Sequence, residues 1–161
     1  MIQRVQTLYL LAIVILGIIL CFQSVVLFVT PDAAEQARMW ELNPTGLIEV
    51  SDAGLPPVVL QGLWGLLLAT ALIPLLALID IFLYNKRLLQ ARLNIFLACL
   101  CLGWYGVVAI YIWLMKLSVP EVDWSPDFWS AIPLICFVLT LMATRRILRD
   151  EALVRAADRI R

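Results

Sequence analysis

The chain has 161 residues, of which 63% are hydrophobic and 15% are charged, and its mean hydropathy is +0.96. Soluble domains contain about 45–50% apolar and about 25% charged residues, so the composition excludes a soluble enzyme and a disordered segment. The formal net charge is zero, which argues against nucleic acid as a partner. The sequence contains no histidine, which removes histidine-ligated metals or haem and histidine-based nucleophile pairs. We expect no metal, no cofactor and no catalytic residues.

Four runs of the sequence carry no charge and approach or exceed the 20 or so residues that a helix needs to cross a bilayer. They cover residues 5–31, 53–79, 93–115 and 128–144. We therefore predict one all-α transmembrane domain over residues 1–161, a four-helix bundle with up-down-up-down topology. The predicted spans lie at about 5–30, 58–84, 93–116 and 126–145, with an outer loop at 32–57 and a tail helix at 145–161.

The basic residues are distributed unequally between the two sides of this predicted bundle. If the N-terminus is cytoplasmic, 10 of the 12 basic residues lie inside, and only Arg38 and Lys116 lie outside. Cytoplasmic loops of membrane proteins are enriched in Lys and Arg. The sequence therefore predicts that both termini are cytoplasmic.

The outer loop allows two local structures. Residues 32–42 fit a short surface helix, whereas residues 38–42 and 47–50 fit the strands of a hairpin around Asn43-Pro44-Thr45-Gly46. The pattern does not separate them. Further along, Ser125-Pro126-Asp127 has the composition of a helix start.

Features inside the spans indicate how the helices bend and pack. Pro74 and Pro133 are predicted to kink spans two and four. Small residues allow close helix contact in lipid, and we expect them to line the seams where two helices of the bundle touch. The alternative is that one row of small residues contacts a helix of a partner protein. The residues are Gly17, Cys21 and Ser24; Gly62, Gly65 and Ala69; Cys99, Gly103 and Gly106; and Cys136, Thr140 and Ala143.

Asp80 is the only acidic residue flanked by apolar sequence. Carboxylates within membrane spans are costly and often functional. However, Tyr84 and Arg87 follow at i+4 and i+7 on the same helix face, so we favour an interfacial polar cluster of Asp80, Tyr84 and Arg87 over a proton or substrate site. Asn94, near a span end, is expected to form an interhelical hydrogen bond.

Other residues with reactive or polar groups are interpreted as packing residues. The four cysteines all fall in spans, where cysteine behaves as a small hydrophobic residue. Trp104 and Tyr105 lie in the middle of span three and should face protein rather than the membrane interface. A slot for a quinone or a lipid beside them is the alternative.

The C-terminal tail is rich in arginine and carries one apolar stripe. Its arginines can set the orientation and contact anionic lipid head groups; the stripe also allows contact with another membrane or cytoplasmic protein. The candidate contact residues are Arg145, Arg146, Arg149, Arg155 and Arg159.

Three stretches together resemble a known family: residues 1–10 (MIQRVQTLYL), 83–93 (LYNKRLLQARL) and 149–161 (RDEALVRAADRIR). They are similar to the bacterial family called "domain of unknown function 4293". The resemblance covers the whole chain and implies a four-span protein of the bacterial inner membrane. It implies no activity, cofactor or catalytic residue.

These observations favour a non-catalytic accessory or scaffold subunit of a membrane assembly. The first alternative is a small oligomeric transporter or channel, for which Asp80 and the kinks at Pro74 and Pro133 argue. The second is a membrane enzyme that acts on lipid or quinone.

Overall fold

A computed structural model describes residues 3–30, 38–50, 58–61, 63–83, 87–119 and 121–158. Within these residues the chain forms four α-helices and five β-strands, with a 3₁₀ turn before the last helix. In chain order they are α1 Gln3–Leu20, β1 Val26–Thr30, β2 Arg38–Asn43, β3 Gly46–Val50, β4 Val58–Gln61, α2 Trp64–Phe82, α3 Arg87–Ser118, β5 Asp123–Pro126, the 3₁₀ turn Phe128–Ala131 and α4 Ile132–Asp158.

The helices pack as a ring in which α1 contacts α2 and α4, and α3 contacts the same two helices. The strands come from the segment between α1 and α2 and from the segment between α3 and α4. The sheet therefore lies at the end of the bundle where α1 and α3 finish and α2 and α4 begin. The other end holds the start of α1 and the α2–α3 connection.

Three of the described helical segments are long and apolar enough to cross a membrane: Trp64–Phe82, Leu88–Ser118 and Phe128–Arg149. The apolar part of α1, Gln6–Leu20, is shorter. Large aliphatic side chains cover the outside of all four helices, among them Leu8, Ile15, Leu75, Ile95 and Leu141. Apolar surface of this extent is compatible with contact with lipid and unlike a water-soluble surface.

The prediction of an all-α fold is wrong, because the structure contains an antiparallel sheet in the strand order β4-β3-β2-β1-β5. Predicted span one includes β1, since α1 ends at Leu20. Predicted span two includes β4, since α2 begins only at Trp64. The physical reason is local: Val25, Val26 and Val29 are β-branched and favour extended backbone.

The outer loop contains the hairpin rather than a helix over residues 38–42. Strands β2 and β3 pair from Met39↔Val50 to Asn43↔Gly46, so Pro44 and Thr45 form the turn. Proline and glycine around a two-residue loop suit such a reversal. Residues 32–37 lie outside the described part of the chain.

The inner face of the sheet is continuous with the core of the bundle. Val26, Phe28, Trp40 and Leu42 alternate along β1 and β2 and are buried. They belong to one apolar cluster with Leu66, Ile73 and Trp104 of the helices. Full burial of each large apolar side chain contributes about 1.5–3 kcal/mol, so the sheet is an integral part of the fold.

The start of α4 differs from the predicted helix start. Ser125 and Pro126 belong to β5, and Asp127 is the N-cap of the 3₁₀ turn that precedes α4, because its carboxylate accepts from the Phe128 N–H at 2.6 Å. The same carboxylate also accepts from the Ser24 hydroxyl at 2.6 Å. Pro133 is therefore in the first turn of α4, where proline needs no kink. Pro74 does lie inside α2.

Candidate functional site

The Asp80 side chain is completely buried in the structure, with 0% of its surface exposed. It lies 16 residues after Trp64, or about 24 Å along α2 from the end that adjoins the sheet. Of its predicted partners, Tyr84 lies outside the described residues, and only the backbone of Arg87, the first residue of α3, is described. The cluster of Asp80, Tyr84 and Arg87 therefore remains a prediction.

The polar side chains that the structure places near Asp80 come from α3. Gln90 and Asn94 are 5% and 0% exposed. The Gln90 Nε2 donates to the Asp80 backbone carbonyl at 3.2 Å, which links the end of α2 to the beginning of α3. The Asn94 amide lies within hydrogen-bonding reach of the Asp80 carboxyl, but the geometry of the two groups falls short of a full hydrogen bond.

This arrangement bears on one expectation and adds one residue. Asn94 was expected to form an interhelical hydrogen bond, and its amide does face the Asp80 carboxyl across the α2–α3 contact, but the geometry falls short of a full hydrogen bond. Gln90 was not predicted as a site residue. The available signal was the spacing of Gln90 and Asn94 at i and i+4, which places two amides on one face of an otherwise apolar helix.

Two aromatic side chains in the middle of α3 face protein, as predicted. Trp104 is fully buried, and its indole Nε1–H donates to the Thr70 hydroxyl at 2.9 Å. The Tyr105 hydroxyl donates to the Ser130 carbonyl at 2.7 Å and accepts from the Leu134 N–H at 3.2 Å. Their polar groups are thus used to hold α3 against α2 and α4.

The outer face of the sheet is defined here by the side chains that alternate with the buried inner row. Leu27, Val29 and Ile48 are half-buried, and Met39 and Val50 are 36% and 38% exposed. Register pairs place Val29, Met39 and Val50 side by side in one row, whereas Glu41 lies between Leu27 and Ile48 in the next row. Glu41 and Asp123 share this face, so an apolar patch carries acidic residues at two places.

A separate pocket of about 100 Å³ lies under the β2–β3 hairpin, between the sheet and α3. Sites for drug-sized ligands have volumes of about 300–1,000 Å³, so this pocket holds a small apolar group at most. The lining residues are Leu42, Leu47, Leu63, Tyr111, Leu114, Met115 and Ser118.

Those arginines of the predicted lipid or partner contact that the structure describes lie on α4, toward the end of the bundle away from the sheet. Arg145, Arg146 and Arg149 are exposed on α4. Arg155 is also on α4, but its side chain is not described, and Arg159 lies outside the described residues. The arginine contact with lipid remains a prediction.

The predicted small-residue seams are confirmed in part. Cys136, Thr140 and Ala143 of α4 are buried, and at Gly17 an added Cβ would lie 2.8 Å from the Pro74 Cδ. In contrast, α3 exposes its predicted seam to the outside, because Cys99, Gly103 and Gly106 are exposed and a Cβ at either glycine meets nothing within 4 Å.

The described fold and sites define a class of protein: a ring of apolar helices, three of them long enough to cross a membrane, with a five-stranded sheet at one end. The chain belongs to the family described as "Domain of unknown function (DUF4293)", whose sequence model matches residues 2–160. A search of curated proteins found no match to the chain.

Proposed function

We propose that the protein is a non-catalytic accessory or scaffold subunit of an assembly in the bacterial inner membrane, and that it binds its partner through the outer face of the sheet. One observation carries the proposal. On the outer face of the sheet, which points away from the bundle core, Val29, Met39 and Val50 form a continuous apolar row. A contiguous apolar surface on an extramembrane element is typical of a protein–protein contact.

The distribution of charge supports the orientation of this surface. The acidic residues Glu41, Glu49 and Asp123 lie in the sheet, whereas the exposed Arg145, Arg146 and Arg149 lie toward the opposite end of the bundle. This distribution supports an orientation, by the positive-inside rule, with the sheet outside the cytoplasm and both termini inside. The arginines are positioned to contact anionic lipid head groups.

Backbone pairing at the described free edge of β5 is a poor route to a partner. The Asp127 N–H donates to the Val25 carbonyl at 3.0 Å, so Ser125 and Asp123 also turn their backbone groups toward β1. Trp124 and Pro126 turn theirs to the free edge, and proline has no N–H to donate. This favours side-chain contact on the outer face over strand addition.

The charges on the outer face indicate the chemistry of the partner. Glu41 and Asp123 are the charged side chains that the register places among the apolar residues of this face. A complementary protein surface has an apolar centre and basic residues opposite these two acids. The proposed partner is therefore a protein of the same membrane, or one held at its outer surface, with that pattern.

The test is purification of the tagged protein from its native membrane in mild detergent, with quantification of co-purifying proteins by mass spectrometry. Val50→Lys should reduce recovery of the partner at least tenfold, because it places a charge in the apolar contact. Thr45→Lys is the control: it adds the same charge in the exposed turn of the same hairpin and should leave recovery unchanged. Equal recovery with both variants would contradict the proposal.

A small transporter or channel is the second candidate function, and the buried carboxyl of Asp80 favours it. Carboxylates at such positions often mark ion pathways. A transporter or channel of this kind requires that Asp80 binds an ion, and ion binding at Asp80 can be tested separately from transport.

A further inference from the structure

The cluster of Asp80, Gln90 and Asn94 contains more unpartnered polar atoms than a packing role explains. Both carboxylate oxygens of Asp80, and both the oxygen and the nitrogen of the Asn94 amide, are buried without a hydrogen bond. About 90% or more of buried polar groups are paired in proteins, because an unpaired one loses its hydrogen bonds to water without replacement. Four such atoms at one place indicate a site that is completed by a ligand.

The charge of the Asp80 carboxylate indicates the sign of the charge on that ligand. Helices α1 and α3 both pack against α2. Of the charged or titratable side chains described toward this end of those helices, Tyr9 on α1 is half-buried and Arg92 on α3 is exposed, and neither bonds to the Asp80 carboxyl. Among the side chains that the structure describes, none supplies a counter-charge to Asp80, and a buried carboxylate in that condition is strongly unfavourable. A ligand with a positive charge removes that penalty.

The number of carboxylates at the site indicates how many positive charges the bound ion carries. The described residues contain no group of three or more His, Cys, Asp or Glu side chains that could hold a metal ion. Divalent ions such as Ca²⁺ are held by several oxygen ligands, usually with more than one carboxylate. One carboxylate with neutral amides balances a single positive charge.

We propose that Asp80 and Asn94 form a binding site for a small monovalent cation, H⁺ or Na⁺, with Gln90 as a positioning residue. With H⁺, the Asp80 hydroxyl donates to the Asn94 Oδ1 and the Asn94 Nδ2 donates back, which pairs all four atoms. With Na⁺, the Asp80 oxygens and the Asn94 Oδ1 coordinate the ion. Gln90 holds the α2 backbone at Asp80 in place through its 3.2 Å hydrogen bond. The proposal concerns binding, and it stands whether or not the ion crosses the membrane.

The test uses dicyclohexylcarbodiimide, an apolar reagent that modifies protonated carboxyl groups, on the purified full-length protein in detergent. Mass spectrometry quantifies the adduct on Asp80. One arm varies pH in choline chloride, and the other titrates NaCl against choline chloride at constant ionic strength and pH. Modification that falls at least fivefold as pH rises supports a proton site. Saturable protection by Na⁺, by at least fivefold at fixed pH, supports a sodium site.

Two variants and a second readout complete the experiment. Asn94→Leu should shift the H⁺ or Na⁺ concentration at the midpoint of the modification curve about tenfold. Thr140→Val, which removes a buried hydroxyl from α4, should leave that midpoint unchanged. In thermal unfolding, the pH- or Na⁺-dependent shift of the wild-type midpoint should disappear in Asp80→Asn. Modification of Asp80 that responds to neither ion, or no adduct on Asp80 at all, would overturn the proposal.

Discussion

At the scale of single residues, the interior of the bundle contains two kinds of polar group. One kind is fully paired, as in Trp104, whose indole donates to Thr70, and Thr70, whose hydroxyl donates to the Leu66 carbonyl at 2.8 Å. The other kind is the unpaired carboxyl and amide of Asp80 and Asn94. The paired groups hold helices together, and the unpaired ones define a candidate site.

The hydrogen bond between Trp104 and Thr70 should contribute a measurable coupling between α3 and α2. We expect a double-mutant cycle of Trp104→Phe and Thr70→Val, measured by unfolding in detergent, to give a coupling free energy of about 0.6 kcal/mol, the average for such bonds in membrane proteins. Trp113→Phe, at an exposed position of α3, serves as the control and should show no coupling to Thr70→Val. Additive effects of Trp104→Phe and Thr70→Val would mean that this bond does not hold the helices.

At the scale of elements, close packing of α1 on α2 depends on Gly17. An added Cβ there would lie 2.8 Å from the Pro74 Cδ, whereas at Gly103 it would meet nothing within 4 Å. Gly17→Ala should therefore destabilise the protein by about 1–3 kcal/mol through overpacking. Gly103→Ala is the matched control and should not destabilise the protein, because alanine is about 1 kcal/mol more favourable than glycine inside a helix. Equal effects of the two substitutions in detergent unfolding would show that the α1–α2 contact is not tight at Gly17.

The elements also show what the sequence predicts and what it does not. The apolar runs predict helices, and the positions of α2, α3 and α4 follow from them. Strand β1 was missed because Val26–Thr30 continues the uncharged run of α1, and a short apolar strand has no periodicity that separates it from a helix. The signal that was available is the cluster of β-branched residues at its start, Val25 and Val26.

Only part of the candidate site could be predicted from the sequence. Asp80 stands out in the sequence as an acid in an apolar setting, but its neighbours Gln90 and Asn94 come from the next helix, and their contact depends on the packing of α2 against α3. The i+4 rule that suggested Tyr84 considers one helix only. The outer face of the sheet could not be predicted at all without the pairing of β1, β2 and β3, which brings Val29, Met39 and Val50 together.

At the scale of the whole molecule, the two ends of the bundle differ in charge and surface, and we propose a different task for each. The sheet end presents an apolar face with acidic residues and is proposed to bind a protein. The other end carries the exposed Arg145, Arg146 and Arg149 and is proposed to contact lipid head groups in the cytoplasmic leaflet. Between them, the apolar exteriors of the helices are compatible with lipid.

The most direct test of this division is photo-cross-linking in intact cells, with a photoreactive residue at Val50 on the outer face or at Arg146 at the opposite end. Both positions are exposed, so neither substitution disturbs the core. We expect a discrete protein adduct from Val50 and no protein adduct from Arg146. A protein adduct from Arg146 together with none from Val50 would overturn this division of tasks, because the partner contact would then lie on the tail.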